Sequence, residues 1–150
     1  MARLIISGAR DLRPDLSLIT RYVREMALSL PSDWEFGHKD ESIIECVLCG
    51  CAGGVDMCGL NWARKKNIPV EFFPAGSLQK RWAGPVALVG DTVHKPMSVK
   101  ATSEAVAMSG RAMIDSATHA LIFWDGKCRR AENLIEMAEV AKLKGIWRIA

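Results

Sequence analysis

Nowhere in these 150 residues does an apolar run approach the roughly 20 residues that a membrane-spanning helix needs. Met1-Ala2-Arg3 leads directly into a strand-like apolar segment, not into the charged start and long apolar stretch of a secretory leader. The chain is therefore expected in the cytosol, with no membrane partner. A dominant charge is missing too: 20 Lys and Arg against 17 Asp and Glu leave +3, too mild to make nucleic acid a main partner. Five cysteines, an odd number, do not make a disulfide frame, and in a reducing compartment they are free thiols or metal ligands. His38, His94 and His119 are scattered, and no HExxH string supports a metalloenzyme. Internal repeats, low-complexity segments and the G-x-G-x-x-G and G-x-x-x-x-G-K-[ST] phosphate loops are also absent.

What is present is ordinary for one globular domain: 49% apolar and 25% charged residues in a length that suits a single core, taken as residues 1–150. Short apolar runs alternate with helical patterns. Leu4-Ile5-Ile6 stops at Ser7-Gly8. Leu16, Ile19, Val23, Ala27 and Leu30 then recur at helical spacing, after a Pro14 suited to a first turn. The polar link PSDWEFGHKDES leads to a second strand, Ile43–Leu48, and Asp56 to Asn67 reads as the next helix. Val70–Phe73 is a third strand. The pattern lapses over 75–102, an insertion that could form a lid or an oligomer contact, or be a tolerated surface loop. Val106, Gly110, Met113 and Ala117 restore a helical period, followed by a strand at Ala120–Trp124, a helix from Ala131 to Lys144 and a last strand at Ile146–Ile149. Unbroken apolar strands joined through helices predict an α/β, three-layer, Rossmann-like domain with a mostly parallel sheet of about five strands.

In such a sheet the loops after the strands share one edge, where ligands bind. That edge collects Ser7-Gly8-Ala9-Arg10-Asp11, the stretch from Gly50 through Gly53 and Gly54 to Asp56, Pro74-Ala75-Gly76, and Asp125-Gly126-Lys127-Cys128-Arg129-Arg130. Glycines that admit a close backbone, free amides at a helix start and several cations suit an anionic, nucleotide-like ligand. Each feature also has a plainer reading. The glycines make tight turns, Asp56 caps the helix that begins there, and Asp125 before Gly126 forms a turn. Trp124 either stacks on a base or closes the sheet end. Arg129 and Arg130 oppose the helix dipole, a mismatch that an anion nearby would explain.

Cys46, Cys49, Cys51 and Cys58 raise the question of a metal. Cys46 and Cys49 fall in a strand at odd separation, so their side chains point to opposite faces and cannot easily share one ion. Cysteine is also among the most buried residue types. Neither a metal nor a cofactor is expected.

ISGARD at 6–11, CGCAGGVD at 49–56, NWARKKNIPVEFFPA at 61–75 and ALIFWDGKCRRAENLI at 120–135 resemble, in order, the SLOG superfamily. The similarity is greatest to its small YspA/YpsA-related branch, whose function is not assigned. The resemblance implies a Rossmann-like domain, often oligomeric, whose glycine-rich edge binds nucleotides or nucleotide-derived signals. The superfamily also holds the LOG phosphoribohydrolases, sensor domains for ADP-ribose-type messengers and the DNA-binding DprA proteins. Ser7, Gly8, Arg10, Gly50, Gly54 and Asp56 match its first two motifs, Met113 the methionine of RNxxM, and Asp125, Gly126 and Arg129 the last motif. Departures are as informative. Gly53 stands where the branch often has arginine, Ser109-Gly110 replace Arg-Asn, and Arg130-Ala131 replace Gly-Thr. Trp82 to Pro85 resembles the segment before RNxxM, but roughly twenty further residues separate the two. The expectation is a remodelled pocket, with Arg111, Arg129 and Arg130 supplying charge.

The PGGxGTxxE string of the LOG enzymes is absent, and Glu132 lies out of register with its glutamate. No Ser/His/Asp or Cys/His constellation stands out. Asp56 and Asp125 are the carboxylates that could serve as a catalytic pair. The expected function is binding of a nucleotide-derived, phosphate-bearing ligand without turnover, for sensing or sequestration. The alternative is a hydrolase of a nucleotide N-glycosidic or phosphoribosyl bond.

Overall fold

The computed structural model describes residues 2–26, 44–77 and 90–149. The expected end of the first helix at Ala27 and Leu30, the polar link after it, and the Trp82–Pro85 segment lie outside the described residues.

Apolar runs rich in Ile, Leu and Val become strands β1 (Ala2–Gly8), β2 (Ile44–Cys49), β3 (Val70–Phe72) and β5 (His119–Trp124). Two more, β4 (Thr92–Val93) and β6 (Lys144–Ile149), complete a six-stranded sheet of order β4-β3-β2-β1-β5-β6 with every neighbouring pair parallel. The fold is α/β and Rossmann-like. The expected five strands become six because β4 rises from the stretch taken as an insertion. Two residues without an apolar period give no strand signal, and pairing with Glu71 and Phe72 makes the strand.

Helix α1 (Leu16–Met26) opens on Asp15, whose carboxylate accepts the Leu18 amide at 2.8 Å, so Pro14 precedes the cap instead of lying in the first turn. Helix α2 (Val55–Lys65) ends as Asn67 takes a left-handed backbone, φ 58°, and the Ile68 amide reaches back to Ala63 at 2.9 Å. Helix α3 (Ser103–Ser116) is capped by Thr102, which accepts from the Ala105 amide. Helix α4 (Arg129–Val140) closes like α2, with Lys142 at φ 59° and the Leu143 amide on the Ala138 carbonyl.

Alternation along the strands divides the core. Leu4, Ile6, Val47, Cys49, Leu121 and Phe123 pack with α1 and α2, while Ile5, Cys46, Leu48, Ala120 and Ile122 pack with α3 and α4. Cys46 and Cys49 thus lie on opposite faces, as their odd spacing requires. Among the described residues no helix is long and apolar enough to cross a membrane, and no three His, Cys, Asp or Glu side chains gather to hold a metal.

The strand order sets the position of the site. From β1 the chain winds outward through β2, β3 and β4, then crosses back to β5 on the other side of β1. The carboxyl ends of β1 and β5 are therefore a topological switch point, where diverging loops leave a crevice. Gly8, paired with Phe123, permits this junction: a Cβ on Gly8 would lie 2.1 Å from the Phe123 carbonyl oxygen.

Candidate functional site

A cavity of about 420 Å³ opens at this crevice. Arg10 reaches it from the β1 loop, Gly50 and Ala52 from the β2 loop, and Ala75 from beyond β3. Its other walls are α3 and α4. Val106, Gly110 and Met113 form a stripe on α3, and Arg130, Asn133, Leu134 and Met137 a stripe on α4, both with the spacing of one helix face. The described part of the expected insertion pairs with β3 through β4, is held to itself by hydrogen bonds from Ser98 to Ala75 and from Ser77 to Val99, and brings Ala101 to the cavity, with Ser103 of α3 beside it.

Beneath the cationic end lies a buried polar cluster. Ser7 and Asp56 are both 0% exposed. Ser7 Oγ donates to Asp56 Oδ1 at 2.5 Å, and the Ala52 amide donates to Oδ2 at 3.0 Å. Arg130 donates from Nη2 to Asp56 Oδ2 at 2.7 Å and to Ser7 Oγ at 3.2 Å, and from Nη1 to the Gly8 carbonyl at 2.8 Å. This ties β1, the β2 loop and α4 at a single point. It corrects the expectation that Asp56 caps α2: its carboxylate turns back to Ala52 and across to Arg130, and no side chain caps that helix. It also answers the dipole mismatch of Arg130, since the anion beside it is Asp56 itself. With both Nη2 hydrogens engaged, Arg130 still lines the cavity.

The glycine loop has a packing role. Gly54 sits at φ 59°, and a Cβ there would lie 2.4 Å from the Arg10 carbonyl oxygen, so it lets the β1 and β2 loops touch. Neither Gly53 nor Gly54 lines the cavity; Gly50 does, and its vacant Cβ position is 2.9 Å from Asp56 Oδ2. Asp125 is a turn former, accepting the Lys127 and Cys128 amides at 2.8 Å each, and these bonds lower its carboxyl pKa. Gly126 extends that turn, and Arg111 is exposed on α3 outside the lining. Trp124 packs against the α3–α4 half of the core, not the cavity.

Of the sequence candidates, Arg10, Gly50, Ser109, Arg129 and Arg130 meet at the cavity, and Ser7, Gly8, Gly54 and Asp56 form the framework behind it. Met113, already matched by its motif, lines the cavity too. Asn133 and Met137 escaped the strand-end reasoning, although their three- and seven-residue steps from Arg130 mark the same helix face. Compared with known proteins, the chain matches no family model, no curated protein and no solved structure.

Electrostatically the cavity is one-sided. Arg129 and Arg130 open α4, where the dipole is positive and first-turn amides have no partners within the helix, and Arg10 joins them at the cavity from the β1 loop. Arg10 and Arg129 are exposed, with Arg10 Nε steadied by the Ala52 carbonyl at 3.4 Å. Among the described residues the lining contains no Asp, Glu, His, Lys or Tyr. The arrangement can hold an anion and cover an apolar body.

Proposed function

We propose that this protein binds a small, phosphate-bearing, nucleotide-derived ligand without turning it over, to sense or sequester it. The observation that carries the reading is the cavity at the switch point, with three arginines and a helix start at one end and, among the described residues, no carboxylate in its wall. Guanidinium groups and helix amides are standard phosphate ligands. Hydrolysis of a glycosidic bond needs an acid or base within hydrogen-bond reach; Asp56 is committed to Arg130, Ser7 and Ala52, and Asp125 to its turn. The motif resemblance to SLOG proteins supports the same ligand class.

The test is to incubate the purified full chain with a panel of nucleotides, denature it, and chromatograph the recovered small molecules. Retained ligand returned intact supports the reading, and free base with ribose phosphate replaces it with the hydrolase. Arg129→Ala should weaken binding of phosphorylated compounds by about 10-fold or more, the worth of one charge-assisted contact. Unchanged affinity would remove the arginine end from the site.

A further inference from the structure

The charge that the cavity presents to an anion is smaller than its count of arginines. Arg10 and Arg129 are exposed in its wall. Arg130 lies 2.7 Å from the carboxylate of Asp56, so that the two are neutral as a unit. The negative half of that unit stands directly behind the wall. The vacant Cβ position of Gly50, a lining residue, is 2.9 Å from Asp56 Oδ2 and 3.1 Å from Arg130 Nη2, so both charges sit at nearly the same depth there. Asp56 has no exposed surface, and its field is screened less than that of a surface carboxylate. In the turn before α4, Lys127 and Asp125 offset one another in the same way, although both are open to solvent. What is left uncompensated is Arg10, Arg129 and the amino end of α4, on the order of +2.5 when the helix dipole counts as half a unit charge. A phosphate monoester carries about −1.5 to −2 at pH 7 and balances most of that.

We infer that Asp56 sets the charge selectivity of the site, matching its cationic end to a single phosphate monoester so that further phosphates add little affinity. This rests on the phosphate reading above and adds which phosphorylated ligands the site distinguishes. Asp56 acts through space and through Arg130, without touching the ligand. Its repulsion grows with the ligand's charge, so removing it helps a triphosphate more than a monophosphate. Even at the permittivity of water, two unit charges about 6 Å apart change an affinity about threefold.

Calorimetric titration of the full chain with 5′-AMP, 5′-ADP and 5′-ATP, in buffer free of divalent cations, tests it. The wild-type protein should bind all three within threefold of one another. Asp56→Asn should tighten AMP at least threefold and ATP further still, raising the ratio of ATP to AMP affinity at least threefold. A purely structural Asp56 predicts otherwise: loosening Arg130 would weaken all three ligands by a common factor and leave the ratio where it was. The inference falls, and the phosphate site stands, if wild-type protein binds ATP more than threefold tighter than AMP, or if Asp56→Asn leaves the ratio unchanged. The wild-type comparison decides by itself should Asp56→Asn fail to fold. If none of the three nucleotides binds, the phosphate reading falls first, and this inference with it.

Discussion

Removing the Arg130 guanidinium should destabilise the protein more than removing the Asp56 charge. The two groups differ in their access to water: the Asp56 side chain is 0% exposed and Arg130's is 21% exposed. Arg130→Met strands a carboxylate that keeps only the Ser7 hydroxyl and the Ala52 amide, and an uncompensated buried charge costs about 3–5 kcal/mol. Asp56→Asn leaves a cation that still donates to the Gly8 carbonyl and reaches solvent, so its cost is that of a lost charged hydrogen bond, about 1.5–3 kcal/mol. The double variant should cost less than the sum of the two, because each single change includes the penalty of the abandoned partner. Urea unfolding followed by circular dichroism measures all three, and Arg130→Met should also lower the melting temperature by on the order of 10 °C. Were Arg130→Met to cost under about 1 kcal/mol, or Asp56→Asn to cost more than it, the cluster would not be the brace described. Arg130 would then be free for ligand alone.

Three further outcomes follow from the geometry. Burial, aided by the charge of Lys144, lowers the His119 pKa below the usual histidine value; the unfolded chain then takes up the proton first, and stability present above about pH 6.5 is lost as the pH falls toward the folded value. His119→Gln should flatten that loss in denaturation series between pH 7.5 and 5, and an unchanged slope would exclude His119 as its source. Gly54→Ala should cost about 2–4 kcal/mol in urea unfolding, since the left-handed backbone and the Arg10 carbonyl both oppose a methyl; a change within 0.5 kcal/mol would mean that the loops are not in contact. Burial pushes the Cys46 thiol up to about 11, and the Cys51 side chain together with burial raises that of Cys49, so iodoacetamide at pH 8 followed by mass spectrometry should find half-buried Cys128 alkylated well before either; equal labelling would contradict their burial.

How far each part was legible depends on whether its cause is local. Ile5 and Ile6, or Leu121 and Ile122, declare strands because an unbroken apolar run needs cover on two faces, whereas the caps at Asp15 and Thr102, local as they are, emerged only from the structure. Strand β4 carries no such pattern and exists through β3. Arg10 and Arg129 were placed at one edge because parallel strands send their following loops the same way. Which loops diverge depends on strand order, and no local pattern encodes that.

The sequence by itself determined the α/β alternation, the parallel sheet, the edge bearing the glycines and cations, and the opposition of Cys46 and Cys49 across the sheet. Only the tertiary structure decided that Gly54 serves loop contact, that Asp56 is matched to Arg130, and that α3 and α4 enclose a cavity lined by Gly110 and Met137. The physical reason is distance along the chain. Asp56 and Arg130 are 74 residues apart and meet at 2.7 Å, and a pairing between two charges so separated leaves no trace in spacing or periodicity.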